Sequence, residues 1–484
     1  MEKTPSLGKA LIPILFLVVL LAYNVIFVFG DSALDGSNQL ILLLSAGVAA
    51  VVGISEGIPW KKMRDGITHS IASTVPSLIL LLFIGALAGT WLVSGIIPAM
   101  IYYGLDLLNP TIFLVASCLI CAIVSLATGS SWSTIATVGI ALLGIGKAMG
   151  ISEAIIGGAV ISGAYFGDKI SPMSDTTNLA PAMAGTDLFT HIRYMLWTTV
   201  PTIVITLIIF LFIGFNYGSN EEMSGALAIQ DELASTFYIT PWVFLVPLAV
   251  IVMIVKKVPA IPALVAGVLL GALFAVLFQG DLITALTAGS SSGFEATYTV
   301  LMDAMTVSFS IPAENPMLAD LLSSGGMSGM LNTVWLILCA MAFGGVMEST
   351  GFLAVLSHAL IKKAKSTTAL VGTTVATCLT LNVTASDQYL AIVVPGRMYA
   401  PVFKKRGLAP QVLSRTLEDS GTVTSVLVPW NTCGATQAAI LGVATLSYAP
   451  FTFFCILSPI MTIAFAAFNI KISRIDPETL PEAA

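Results

Sequence analysis

Apolar runs that reach or approach the length of a bilayer crossing recur along this chain: Leu11–Phe29, Ser77–Met100, Thr199–Phe215, Trp242–Val255 and Phe451–Asn469. A crossing takes about 20 predominantly apolar residues. Of 484 residues, 57% are hydrophobic and only 10% charged, against roughly 25% charged in a soluble domain. The fold class expected is an all-α polytopic membrane protein. The formal charge of −6 says little about partners, because orientation follows the placement of Lys and Arg rather than net charge. Leu11–Phe29 is longer than the 7–15-residue core of a secretory signal, and no clean small-residue cleavage site follows, so it reads as the first span.

Two stretches break this apolar pattern: Gly167–Thr177 (GDKISPMSDTT) and Glu418–Asn431 (EDSGTVTSVLVPWN). A carboxylate at the bilayer centre costs about 2.5–3.5 kcal/mol on insertion scales and marks a functional site by default. Proline removes a backbone donor and frees a carbonyl in mid-helix, which is tolerated at membrane depth only where protein encloses it. Helices broken there, with acidic and hydroxyl oxygens around the break, point to a cation site inside a transporter.

Sliding the chain against itself reveals an internal repeat. Gly89, Gly95 and Thr128 match residues 256 positions later, at Gly345, Gly351 and Thr384, and Pro172 matches Pro429 at 257. The offset aligns TGSSWST (Thr128–Thr134) with TASDQYL (Thr384–Leu390), and the two broken segments with each other. Repeats carrying interrupted apolar segments at corresponding positions are the best sequence pointer to a transporter site.

Lysine and arginine set the relative orientation. Placing Lys61, Lys62, Arg64, Lys256, Lys257, Lys362, Lys363, Lys365, Lys404, Lys405, Arg406, Lys471 and Arg474 in the cytoplasm runs Ser77–Met100 outward and Leu331–Leu360 inward. The halves are then two inverted-topology repeats, provided that Thr128–Thr134 and Thr384–Leu390 are tips of re-entrant hairpins. Lys147 falls outside as an exception. The expected organisation is an N-terminal two-span segment over 1–60 and a first repeat over 61–217, with its hairpin tip at 128–134 and broken helix at 153–190. An acidic external loop with connecting spans follows over 218–278, then a long external loop over 279–330. The second repeat covers 331–470, with tip 384–390 and broken helix 410–435, and 471–484 is a cytoplasmic tail. Both termini are expected in the cytoplasm.

Asp168 and Asp175 stand seven apart, two helical turns, so an unbroken helix would place both on one face; Pro172 is expected to leave them on either side of unwound backbone. Ser171, Ser174, Thr176, Thr177 and Asn178 add oxygen ligands, and Ser131 adds another from the first tip. The second half contributes Asp387 and Asp419. Arg415 precedes Glu418 by three, a spacing that permits an ion pair; Glu418 is otherwise a transport acid. Glu348, alone in CAMAFGGVMESTGF, is a candidate proton carrier, and an Asp168–Lys169 contact is the structural alternative at the first break. His69, His191 and His358 read as solvated side chains near membrane surfaces. Cys118 and Cys121 form a C-x-x-C with no second pair or nearby His, so packing is the expected role. Gly289–Gly293 (GSSSG) fits the G-x-S-x-G nucleophile pattern formally, but it follows no predicted strand. An intramembrane hydrolase built on Ser291, like an ion channel, stays a distant alternative, and no enzyme is expected.

The stretch FGDKISPMSDTTNLAPAMAGTDLFTHIRYM (Phe166–Met195) closely resembles the signature region of the NhaC-type sodium/proton antiporter family, and the likeness continues through Gly344–Leu353 and Leu417–Ala435. The resemblance implies an inverted-repeat fold and extrusion of sodium or lithium driven by inward proton movement, in a prokaryotic inner membrane. The family also contains exchangers of malate plus protons for lactate plus sodium, the alternative reading, for which Lys169, Arg397 or Arg415 would have to meet the organic carboxylate. The physical mechanism stands beside the likeness: sodium and protons competing for the same buried carboxylates, Asp168 and Asp175, gives exchange. The expected partners are those ions and the bilayer, with malate or lactate in the alternative. No cofactor and no nucleic acid are expected, and the expected assembly is a homodimer.

Overall fold

The computed structural model describes residues 5–29, 36–107, 109–217, 220–287, 293–362 and 364–475. Ser291 and the end of the tail lie outside them. The chain is an all-α polytopic membrane protein: among the described residues, 8 helices are long and apolar enough to cross a membrane, or up to 10 if two bent pairs each count as one span. The only strands in the described residues are Phe309–Ser310 and Ser323–Ser324, paired antiparallel.

Helix boundaries recur at the separation seen in the sequence. Trp60–Val93 and Leu331–Ser349 end 256 residues apart, and so do Pro110–Thr128 and Thr367–Thr384. Gly95 and Gly351, which open the next helix of each half, have φ of 77° and 76°. Beyond the breaks, Asp175–Ala184 and Thr432–Leu441 start 257 apart and both stop at a left-handed glycine, Gly185 and Gly442.

Backbones approach closely where small residues allow it, as in other membrane helix pairs. A Cβ on Gly345 would lie 2.7 Å from the Gly66 carbonyl, so Trp60–Val93 and Leu331–Ser349 cross there. A Cβ on Gly163 would lie 2.0 Å from the Cys118 carbonyl, which packs Glu153–Ile170 onto Pro110–Thr128. All six cysteines are buried and free. The described residues of the 279–330 stretch include several short helices, and Val300 and Ala304 are buried. Ser131–Ala148 is 78% buried over its apolar window, against 33% for Leu188–Gly214, which places the first in the interior and leaves the second a broad lipid face.

Candidate functional site

At the first tip, Pro110–Thr128 ends at Gly129 in the left-handed region, where a Cβ would meet that of Met173 at 2.6 Å. Only glycine lets the tip rest on the break of Glu153–Ile170. Ser130 then caps the helix beginning at Ser131, its hydroxyl accepting from Ser133 N at 3.2 Å. The start of that helix faces Asp168: Ser131 N and Oγ both donate to Asp168 Oδ2, at 3.2 and 2.7 Å.

Residues 171–174, with Pro172 among them, separate Glu153–Ile170 from Asp175–Ala184. The carbonyls freed by the break need donors. Thr177 Oγ1 donates to the carbonyls of Asp168 and Lys169, at 3.2 and 2.9 Å. Asn178 Nδ2 donates to Pro172 O and Ser174 O, at 3.0 and 2.7 Å. The structure therefore places Thr177 and Asn178, expected as ion ligands, as braces of unwound backbone.

The second break runs from Pro410–Leu417 through a π-helical turn, Glu418–Thr422, to Thr432–Leu441. Its tip supplies the braces here. Asn382 Nδ2 donates to Gly421 O at 2.9 Å, Gln388 Nε2 to Thr422 O at 3.2 Å, and Thr432 N to Ser386 O at 3.0 Å.

The breaks are joined to each other. Lys169 Nζ pairs with Asp419 with both side chains fully buried, and also donates to Ser458 Oγ at 2.8 Å. Thr198 Oγ1 donates to the other Asp419 oxygen at 2.9 Å. Asp419, expected among the ion ligands, is thereby held by a lysine. Glu418 Oε1 accepts from Thr176 Oγ1 at 3.0 Å.

The expected Arg415–Glu418 pair does not form. The α-helical ladder ends at Leu417 and the wider π-turn begins at Glu418, so a three-residue spacing no longer sets which groups face each other. The buried Arg415 guanidinium lies over the Tyr194 ring, 4.7 Å from its centroid, and 5.9 Å from that of Phe465. His191, read as solvated, is buried, its Nδ1 2.8 Å from Ser414 Oγ. The alternative Asp168–Lys169 contact does not form; Lys169 pairs with Asp419 of the second half instead.

A cavity of about 620 Å³ opens beside the tips. Asp168, Asp175, Glu348 and Asp387 all line it, with Ser174 and Thr176, the rings of Trp132 and Tyr389, and His69. None of its described lining residues is lysine or arginine. The acids stand around the walls: among the described residues, no three of His, Cys, Asp or Glu gather closely enough for a metal cluster. Asp387 also caps its own tip, Oδ1 accepting from Leu390 N at 2.9 Å. Reading the sequence missed Thr198 and Ser458, hydroxyls in otherwise apolar spans. Such residues usually bond their own helix carbonyls, so position alone carries no signal.

Comparison with known proteins adds the following. The family described as the Na+/H+ antiporter family matches residues 163–470. The Na(+)/H(+) antiporter NhaC of Alkalihalophilus pseudofirmus is 36% identical over 98% of each chain. The malate-2H(+)/Na(+)-lactate antiporter of Bacillus subtilis is 37% identical over 93% of this chain and 92% of its own. The Na(+)/H(+) antiporter NhaC of the same organism is 36% identical over 87% and 90%.

Proposed function

The chain belongs to the Na+/H+ antiporter family, and from that premise we propose how its cavity exchanges the two ions. It is a secondary transporter that exports sodium, or lithium, in exchange for protons. The site we assign is the cavity around Asp168 and Asp175, with Glu348 and Asp387 on the facing walls. The observation that carries this is its electrostatics: four carboxylates and no lysine or arginine among its described lining residues.

Acids sharing one partly desolvated cavity repel one another when charged. Either a sodium ion or protons relieve that repulsion, and each makes the other redundant. Exchange follows, because the empty, fully charged cavity is the costly state to carry across. Ser131 binds one oxygen of Asp168 through two donors, which holds that carboxylate in place on the cavity wall. The two halves act as inverted repeats with re-entrant tips, with both termini cytoplasmic in a prokaryotic inner membrane. Recurring helix boundaries and lysine placement support this arrangement.

The same electrostatics argue against malate–lactate exchange. Of the cations that would have to meet an organic carboxylate, Lys169 is held by Asp419, Arg415 lies under Tyr194, and Arg397 is exposed outside the cavity. The test is pH-gradient dissipation in inverted vesicles on adding sodium, lithium, potassium, malate or lactate in turn. Sodium or lithium should collapse the gradient in the wild type and leave it standing in Asp175→Asn. Near-wild-type exchange in that variant sinks the assignment, and stimulation of sodium flux by malate or lactate revives the organic-anion reading.

A further inference from the structure

Glu418 is the buried acid that this exchange mechanism does not use. Its side chain is fully buried, and it stands at the first position of the π-helical turn. Of its two oxygens, Oε1 accepts from Thr176 and Oε2 has no hydrogen-bond partner. Thr422, at the end of the same turn, has a buried hydroxyl beside this carboxyl and no other partner, so hydroxyls alone face the acid. An ionised carboxylate left this way in a low-dielectric interior is heavily penalised, whereas a carboxylic acid is not.

The cations nearby are engaged elsewhere. Lys169 is paired with Asp419, and Arg415 is stacked on Tyr194. The other titratable groups on the elements packed around this turn are Asp168, Asp175, Asp419 itself, Cys378, Tyr399 and Cys455, together with Arg397, Lys404 and Lys405 on Leu390–Lys405, whose three cationic side chains are exposed. Glu418 is nonetheless connected to the cavity. Ser174 Oγ lies 3.2 Å from Thr176 Oγ1, Thr176 Oγ1 lies 3.0 Å from Glu418 Oε1, and both hydroxyl residues line the cavity that holds Asp168 and Asp175.

We propose that Glu418 is a second proton-carrying residue of the exchanger, loaded and unloaded through the Ser174–Thr176 hydroxyl pair. The inference rests on the cavity being the exchange site. When sodium has left, a proton from cavity water or a protonated cavity acid passes to Ser174, whose own proton passes to Thr176, whose proton forms the new O–H bond on Glu418. One O–H bond breaks as each forms, and Glu418 goes from carboxylate to carboxylic acid. On the side where sodium loads, the chain runs in reverse and the proton returns to the cavity. The anionic Glu418 then favours the arriving cation. The occluded acid therefore adds a proton to each cycle beyond those held by the cavity acids themselves.

The test is a flux measurement on the full chain in proteoliposomes. The sodium-to-proton ratio is read from the null point between imposed sodium and pH gradients, beside sodium–sodium counterflow, which needs no net proton movement. Glu418→Gln is expected to keep counterflow and to move one proton fewer per sodium. Thr176→Val is expected to keep the wild-type ratio and slow the proton-coupled rate by about tenfold or more, in the range expected when a positioned proton carrier is lost, with Thr176→Ser restoring it. A wild-type ratio in Glu418→Gln, or a wild-type rate in Thr176→Val, overturns the proposal; if Glu418→Gln does not fold, the Thr176 pair decides. Loss of counterflow in Asp168→Asn checks the cavity assignment separately, since it fails only if the cavity is not the sodium site.

Discussion

The two broken helices of this antiporter occupy matching positions and handle their acids in opposite ways. The first turns Asp168 and Asp175 toward a cavity and braces its own backbone with Thr177 and Asn178. The second buries Glu418 and Asp419 against groups from the first half and borrows its braces from Asn382 and Gln388. In the mechanism proposed, the first break presents its acids to the transported ion, while the second holds its acids in the protein interior. The backbone interruption recurs at a matching position; the residues placed around it set whether its acids face a cavity or the packed interior.

The comparison breaks most easily on the first side. Asp168→Asn or Asp175→Asn should reduce sodium-driven proton movement in inverted vesicles to background. A variant that retains exchange would mean that the cavity acids are not the ion's ligands.

On the second side the expected signature is lost stability. Removing one member of a buried ion pair strands the other, at a cost of about 3–5 kcal/mol. Lys169→Met alone should therefore lower the thermal midpoint in detergent sharply. Lys169→Met combined with Asp419→Leu should recover most of it, because a buried pair replaced by apolar groups of similar volume is often near neutral. If the double variant is as unstable as the single, the pair is more than a joint.

Smaller effects distinguish bracing from binding. Thr177→Val leaves the Asp168 and Lys169 carbonyls short of a donor, a loss of about 1–3 kcal/mol. It should show as reduced stability with an unchanged preference between sodium and lithium; an altered preference would return Thr177 to the ion's ligands. Ser131→Ala removes a charge-assisted bond of up to about 1.5–3 kcal/mol from Asp168 but leaves the Ser131 N–H donor in place, and is expected to change the apparent sodium affinity together with a modest loss of stability.

The smallest prediction concerns the helix that follows each break. Asp187 caps Leu188–Gly214, and the Thr190 hydroxyl and N–H hold its exposed carboxyl below the usual range. Ala444, 257 residues later, offers no side-chain cap to its own helix. A depressed acid stabilises above its unfolded pKa and loses that contribution as pH falls through its folded one. Wild type should thus lose a little stability below about pH 4, the ordinary aspartate range, and Asp187→Asn should flatten that limb of the melting-versus-pH curve.

Much of this was legible in the chain itself. Apolar runs against about 20 residues of bilayer identify the fold class, and Pro172 and Pro429 among hydroxyls mark where helices break. The offset tying Gly95 to Gly351 recurs in helix boundaries. What stayed hidden was direction. Asp168 and Lys169 are adjacent in sequence, yet one faces a cavity and the other an enclosed carboxylate across the molecule. Arg415 missed Glu418 because a π-turn, which leaves no periodicity to read, begins between them. Thr198 and Ser458 hold Asp419 and Lys169 from distant spans, a relationship that only tertiary packing creates.

That distance has a consequence for biogenesis. Lys169 and Asp419 are 250 residues apart in the chain. At about 5–20 residues per second, the lysine emerges roughly 10–50 s before its counter-ion is made. During that interval the first half holds a cation destined for the interior without its partner, so final docking must wait for the second half. Nascent chains arrested just before Asp419 should stay open to protease around Glu153–Ala184, and chains released after Phe453–Ala467 should close.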